Sequence, residues 1–252
     1  MSQSHAARPD GPCKNCGATL DATQRFCGAC GQHAATERLT LHEIGHELVH
    51  AIAHVDRSVF SLVRMLFLRP GFVAREYVDG RRKRYFGPFS FLFIVVGLAT
   101  AVVALSGIKV VIADSDNAIA RGVQHHVNLV FLAQVPLLAA YTKLFFFRQR
   151  LNLAESLVLS SYATSMRTIW FVVFLVPGYY WLHPSTLAVL YAYYGYSLLW
   201  LSYFGYACMQ FFSGNRAGLW LRGAMVAALT QATVQVFIIS LGSMPWVSGP
   251  AD

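Results

Sequence analysis

Five stretches of this chain are long enough and apolar enough to cross a bilayer, and no ordinary soluble fold accommodates them. They run Phe89–Leu105 (extendable to Ala113), Val127–Phe147, Ser156–Pro177, Leu187–Phe212 and Trp220–Leu241. A hydrocarbon core needs about 20 apolar residues per helix. Composition agrees: 56% of the 252 residues are hydrophobic and 13% are charged, where soluble domains carry about 25% charged residues. Disordered chains are poor in apolar residues, so disorder over most of the length is excluded as well.

The remaining polarity is concentrated at the front. Residues 1–88 hold eight of the twelve acids, twelve of the twenty bases and six of the nine histidines. Orientation follows from Lys and Arg placement. Arg81-Arg82-Lys83-Arg84 precedes the first stretch, while the next loop carries Asp114, Asp116 and Arg121. Arg148 and Arg150 follow the second stretch, no charge follows the third, and Arg216 and Arg222 flank the start of the fifth. Basic and non-basic loops therefore alternate. No secretory signal opens the chain, since Met1–Gly11 is polar. The expectation is five spans, N-terminus in the cytoplasm and C-terminus outside. The net charge of +8 then reports topology. Its bases are dispersed among loops, unlike the concentrated surface that binds nucleic acid.

Four of the five cysteines lie in the first 30 residues, as Cys13-Lys-Asn-Cys16-Gly17 and Cys27-Gly-Ala-Cys30-Gly31. Two C-x-x-C-G knuckles read as a zinc ribbon over residues 13–33, preceded by a disordered tail over 1–12. Four thiolates close a tetrahedral site with no open position, so one structural Zn²⁺ is expected. A cytoplasmic location disfavours the alternative of two disulfides. Leu20 and Phe26 are the segment's only large aliphatic or aromatic residues, so metal binding must supply its folding energy. Cys208, alone in the fourth stretch, reads as a small packing residue.

Residues 40–56 read TLHEIGHELVHAIAHVD. Thr40-x-x-Glu43 is a capping box, and Leu41, Ile44, Leu48, Ile52 and Val55 form an apolar face. His42, His46, His50 and His54 recur every four residues on the polar side, spelling H-E-x-x-H twice. His42 and His46 one turn apart could ligate a zinc, with Glu43 activating its water. That makes a metalloprotease the catalytic alternative. A catalytic zinc needs a third protein ligand, and no third-ligand motif is evident downstream. Repetition of His and Glu along a polar helix face accounts for the motif more simply. The chain therefore reads as a non-enzyme first.

Ser58–Leu68 is apolar but too short to span, and suits a helix lying at the interface. Pro70-Gly71 breaks it, a second short helix covers Phe72–Val78, and Gly80 ends that one. These cytoplasmic amphipathic and interfacial helices occupy 39–80. The basic collar over 81–88 follows, where Arg81, Arg82, Lys83 and Arg84 suit anionic lipid headgroups.

Here the residues carry a resemblance. Pro70-Gly71, then Arg75-Glu76-Tyr77-Val78-Asp79-Gly80-Arg81-Arg82-Lys83-Arg84-Tyr85-Phe86-Gly87-Pro88, resembles the bacterial domain-of-unknown-function 3667 family. That family pairs a short zinc ribbon with a PG…REY-x-x-GKR-x-x-Y-x-x-P stretch and several membrane helices. The matching positions are Pro70, Gly71, Tyr77, Gly80, Arg82, Tyr85 and Pro88. Gly87 stands where the family often has Asn. The resemblance implies a bacterial inner-membrane protein and carries no activity with it.

Within the membrane domain, taken as 89–245 with a tail over 246–252, one charge stands out. Arg167 falls inside the third stretch, where an arginine costs at least about 2.5–3.5 kcal/mol near the centre. It either snorkels to the cytoplasmic side or serves a transport or lipid-binding function. Backbone carbonyls, tyrosine hydroxyls or a lipid phosphate are its expected partners. Gln134, Gln231, Gln235 and the tyrosines of the fourth stretch suit hydrogen bonds between helices. The expected architecture is an all-α polytopic membrane protein with a small N-terminal zinc ribbon. The bilayer is its main partner, and the ribbon is available to a cytoplasmic protein.

Overall fold

The computed structural model describes residues 11–41 apart from Ala22 and Glu37, and residues 58–106, 127–178 and 186–242. The histidine stripe, with His42, Glu43 and His46, lies outside the described residues, as do Asp114, Asp116, Arg121 and the C-terminal tail.

Among the described residues the protein is all-helical. The helices are α1 (Ser58–Leu68), α2 (Pro70–Val78), α3 (Pro88–Ser106), α4 (Val127–Phe145), α5 (Leu153–Trp170), α6 (Thr186–Phe211) and α7 (Arg216–Gly242). Three helical segments are long and apolar enough to cross a membrane: Pro88–Ser106, Leu153–Gly178 and Arg216–Ile238. The third-stretch helix runs on past α5 through a π-helical segment, Phe171–Leu175. Helix α6 has the length, with 26 residues, but its six tyrosines lower its mean hydropathy. Helix α4 is 19 residues long, and Phe131–Phe145 is apolar within it.

Several boundaries differ from the sequence reading, among them the start of α7 at Arg216 rather than Trp220. Helix α2 begins at Pro70 rather than Phe72, because proline lacks an N–H that a first helical turn would leave unpaired and its φ is already helical. Helix α5 begins at Leu153 rather than Ser156. Asn152 accepts from the Glu155 N–H while the Glu155 carboxylate accepts from the Asn152 N–H, a capping box that fixes the start. Helix α4 stops at Phe145 and a single 3₁₀ turn, Phe147–Gln149, follows.

The start of α5, the end of α4 and the end of α6 meet at one face. Phe146 stacks on Phe212 at 3.9 Å between ring centroids. Gln149 Nε2 donates to the Ser213 carbonyl at 3.0 Å. Helix α2 lies against this face. Its Arg75 donates to the Phe211 carbonyl at 2.8 Å, satisfying an orphan acceptor at the α6 C-terminus. Gly71 sits where any Cβ would overlap the Ala207 carbonyl oxygen and crowd Gln210, so the backbone itself is the packing surface. The Gly71 N–H donates to Gln210 Oε1 at 3.1 Å. Cys208 is fully buried at the α6–α7 crossing, where a Cβ on Gly223 would stand 2.8 Å from it. That is the packing role expected of it.

Candidate metal centre and its docking platform

The two knuckles fold alike because their sequences are alike. Gly17 N–H donates to the Cys13 carbonyl and Gly31 N–H to the Cys27 carbonyl, both at 2.8 Å. Both glycines take positive φ, 78° and 69°, a conformation that costs a side-chain-bearing residue but not glycine. Isolated antiparallel bridges, Pro12 with Thr19 and Phe26 with His33, close each knuckle.

The four Sγ atoms all lie within 4.8 Å of one another. Cys13 and Cys30 are 3.7 Å apart and Cys16 and Cys27 3.6 Å apart. Those are not disulfides, since all four thiols are free. A tetrahedron with metal–sulfur bonds of about 2.3 Å has edges of about 3.8 Å, so the cluster fits a metal ion closed by four thiolates. The Gln32 backbone N–H and the Asn15 side chain stabilise the Cys30 thiolate, lowering its pKa to about 6. Among the described residues this is the one cluster of His, Cys, Asp and Glu able to hold a metal.

The module does not hang free. Gln32, 3% exposed, donates through Nε2 to the Gly80 carbonyl at 2.5 Å and to Thr36 Oγ1 at 3.2 Å. Its Oε1 accepts from the Lys83 N–H at 3.2 Å. Lys14 Nζ donates to the Thr36 carbonyl at 2.9 Å, and its side chain lies close to Gly80. A second anchor follows. Arg38 reaches both carboxylate oxygens of Glu155, at 2.6 and 2.9 Å, and donates to the Arg150 carbonyl at 2.8 Å. Asn152 Nδ2 donates to the Leu39 carbonyl at 2.7 Å, and Leu39 joins the hydrophobic core.

The Pro70–Pro88 motif is the platform under the first of these anchors, and the start of α5 carries the second. Pro70 opens α2 and Pro88 opens α3, both buried. Tyr77 packs edge-on against Tyr162 of α5 at 6.0 Å. Tyr162 donates to the Phe86 carbonyl at 2.7 Å. The buried Glu76 receives Arg81, Arg84 at 3.5 Å and the Tyr85 hydroxyl. Burial and the Glu76 carboxylate push the Tyr85 phenol up to about 12. The collar is therefore not four equivalent bases facing outward. Arg81 and Arg84 are paired with Glu76 while their side chains stay 47% and 55% exposed, and Arg82 also has a partner within the fold.

Arg167 is turned inward and does not snorkel. It is 7% exposed. Its guanidinium donates to two glutamine amides, Gln134 Oε1 of α4 at 2.7 Å and Gln231 Oε1 of α7 at 3.4 Å, and the Tyr196 hydroxyl donates to its backbone carbonyl at 2.9 Å. The guanidinium also lies over the Trp200 and Tyr196 rings of α6, at 4.8 and 5.6 Å from their centroids. Tyr203 and Tyr206, read as interhelical groups, donate to the Leu66 and Leu68 carbonyls at the end of α1.

Of the acids available as a third ligand to the histidine motif, Glu76, Asp79 and Glu155 are described. Each is bonded to arginine: Glu76 to Arg81 and Arg84, Asp79 to Arg75, Glu155 to Arg38. Sequence reasoning passed over Gln32, Arg38, Asn152 and Glu76 as anchors. The Asn152-x-x-Glu155 spacing was a visible capping signal, whereas nothing local marks Gln32 or Arg38 as a clamp.

The fold and site define an all-helical protein with membrane-length helices and a four-cysteine cluster able to hold a metal ion. The family model described as "Protein of unknown function (DUF3667)" matches residues 56–100. That stretch contains α1, α2, the collar and the start of α3, so the resemblance carried by Pro70 through Pro88 is borne out. Neither the curated proteins nor the solved structures contain a significant match to the chain.

Proposed function

We propose that this chain is a five-span bacterial inner-membrane protein whose cytoplasmic ribbon holds one structural zinc ion and serves as an assembly module rather than a catalyst. One observation carries the reading: the closed four-thiolate cluster is seated through Gln32 on the Gly80 carbonyl and the Lys83 N–H of the platform. A closed tetrahedral thiolate site leaves no position for a substrate. Its fixed seat makes the ribbon a rigid part of the cytoplasmic face, with its outer surface open to a protein partner.

Five spans with the N-terminus in the cytoplasm are supported by the alternating basic loops, and by ends of α4, α5 and α6 that meet on the ribbon's side. The collar faces anionic headgroups, since four bases less one carboxylate still leave it positive. Exposed Phe60, Phe67 and Leu68 on α1 suit insertion at the interface beside it.

The test is limited trypsin digestion of the purified protein in a bilayer, with and without a zinc chelator. Cleavage after Arg25 and Arg38 should appear only with chelator, while the spans stay protected. Equal protection of both sites after complete metal removal would contradict a metal-built module.

A further inference from the structure

A permanently charged guanidinium buried among membrane helices needs a counter-charge or a full set of acceptors. Arg167 has neither. Among the described residues of the spanning helices, the one acid is Glu155. It is held by Arg38 and lies twelve residues away, about 18 Å along a helix. Nη1 is well satisfied by Gln134, Nη2 only by a long bond to Gln231, and the buried Nε finds no partner. The Nε and Nη groups form the planar fork by which arginine grips a carboxylate or phosphate with two parallel hydrogen bonds.

The surroundings support that edge as a site. Trp200 lies against the guanidinium, and its indole N–H is buried without a partner, as is that of Trp170 three residues beyond Arg167. Both are pure donors, so the unmet need around Arg167 is for acceptors. Arg167 is the fifteenth residue of the 26-residue segment Leu153–Gly178, near its middle. The helix turns π-helical just beyond, over Phe171–Leu175, a distortion frequent at functional sites. A polar track leads outward from it: Gln231 Nε2 donates to Ser197 Oγ at 2.8 Å and to Tyr193 Oη at 3.2 Å, and exposed Gln235 donates to the same phenol.

We propose that Arg167, held by Gln134 and Gln231 against Trp200, is the centre of an oxyanion-binding site within the membrane domain, taking a phosphate or carboxylate group. The polar track of Gln231, Ser197, Tyr193 and Gln235 is its approach. The shared chemistry fits either a free anion or an anionic lipid headgroup.

The experiment uses the full-length protein in phosphatidylcholine nanodiscs and reads thermal unfolding. One arm adds sodium phosphate against sodium chloride of equal ionic strength. A second replaces part of the lipid with phosphatidylglycerol. The site predicts a saturable rise in Tm in at least one arm, because a ligand that binds only the folded state stabilises it. A rise with phosphate identifies a free anion, and a rise with phosphatidylglycerol alone identifies a headgroup. Arg167→Gln should abolish the rise. Arg167→Lys, which keeps the charge and loses the fork, should weaken apparent affinity roughly tenfold or more and decides the matter should Arg167→Gln not fold. No rise in either arm overturns the proposal. So does an unchanged response in the variant that folds, which would leave Arg167 a structural residue and the collar the binding surface.

Discussion

Arg38 and Glu155, 117 residues apart, form a two-point ion pair at 2.6 and 2.9 Å that ties the chain just after the ribbon to the first turn of α5. Glu155 is simultaneously the capping-box residue of that helix, so one carboxylate orders both partners. Arg38→Ala should leave the helix capped and release only residues 38–41. Hydrogen exchange should show faster exchange at Leu39 with unchanged protection in α5. Loss of α5 protection instead would mean that the pair, and not the cap, starts the helix.

Gln32→Ala removes a buried amide that bonds the Gly80 carbonyl and the Lys83 N–H. Leaving such groups unpaired costs about 1–3 kcal/mol each. The expected outcome is a ribbon that still binds its metal but detaches from the collar. Trypsin should then cut after Lys83 and Arg84 faster than in the wild type, at unchanged metal content.

Gly71→Ala tests the contact between α2 and α6. A methyl group there overlaps the Ala207 carbonyl, and the neighbour is backbone, which cannot rotate away. Overpacking of this kind costs about 1–3 kcal/mol. A thermal melt should show the loss, with four-cysteine metal binding retained. An unchanged melting temperature would place α2 elsewhere.

Tyr85 gives a pH signature. Its phenol titrates near 12 in the folded protein against about 10 unfolded. The raised value means the neutral phenol stabilises the fold below pH 10, and that contribution is lost as pH rises from 10 to 12. Tyr85→Phe removes the donor to Glu76 and should flatten this window. Chemical denaturation at pH 9 and at pH 11 compares the two proteins.

Much of the architecture was legible because its signals are local. The four-cysteine cluster, Ser58–Leu68 and the three membrane-length helices follow from spacing and apolar length. The start of α5 was missed by three residues because the apolar run begins later than the cap that fixes the helix. Spacing presents the collar as four bases at the membrane surface and gives no sign that Glu76 lies among them. Only the fold brings Arg81, Arg84 and Tyr85 onto it. Arg167 was recognised as anomalous, yet its partners came from α4 and α7, a pairing that no sequence period encodes.

Whether the four cysteines hold a structural zinc, with no catalytic zinc on the histidine motif, is decided by metal analysis of the purified full-length protein. One tightly held zinc per chain is expected, lost in Cys13→Ser and retained in His46→Ala. Zinc that survives Cys13→Ser but disappears with His46→Ala would contradict it and move the metal chemistry to His42, Glu43 and His46.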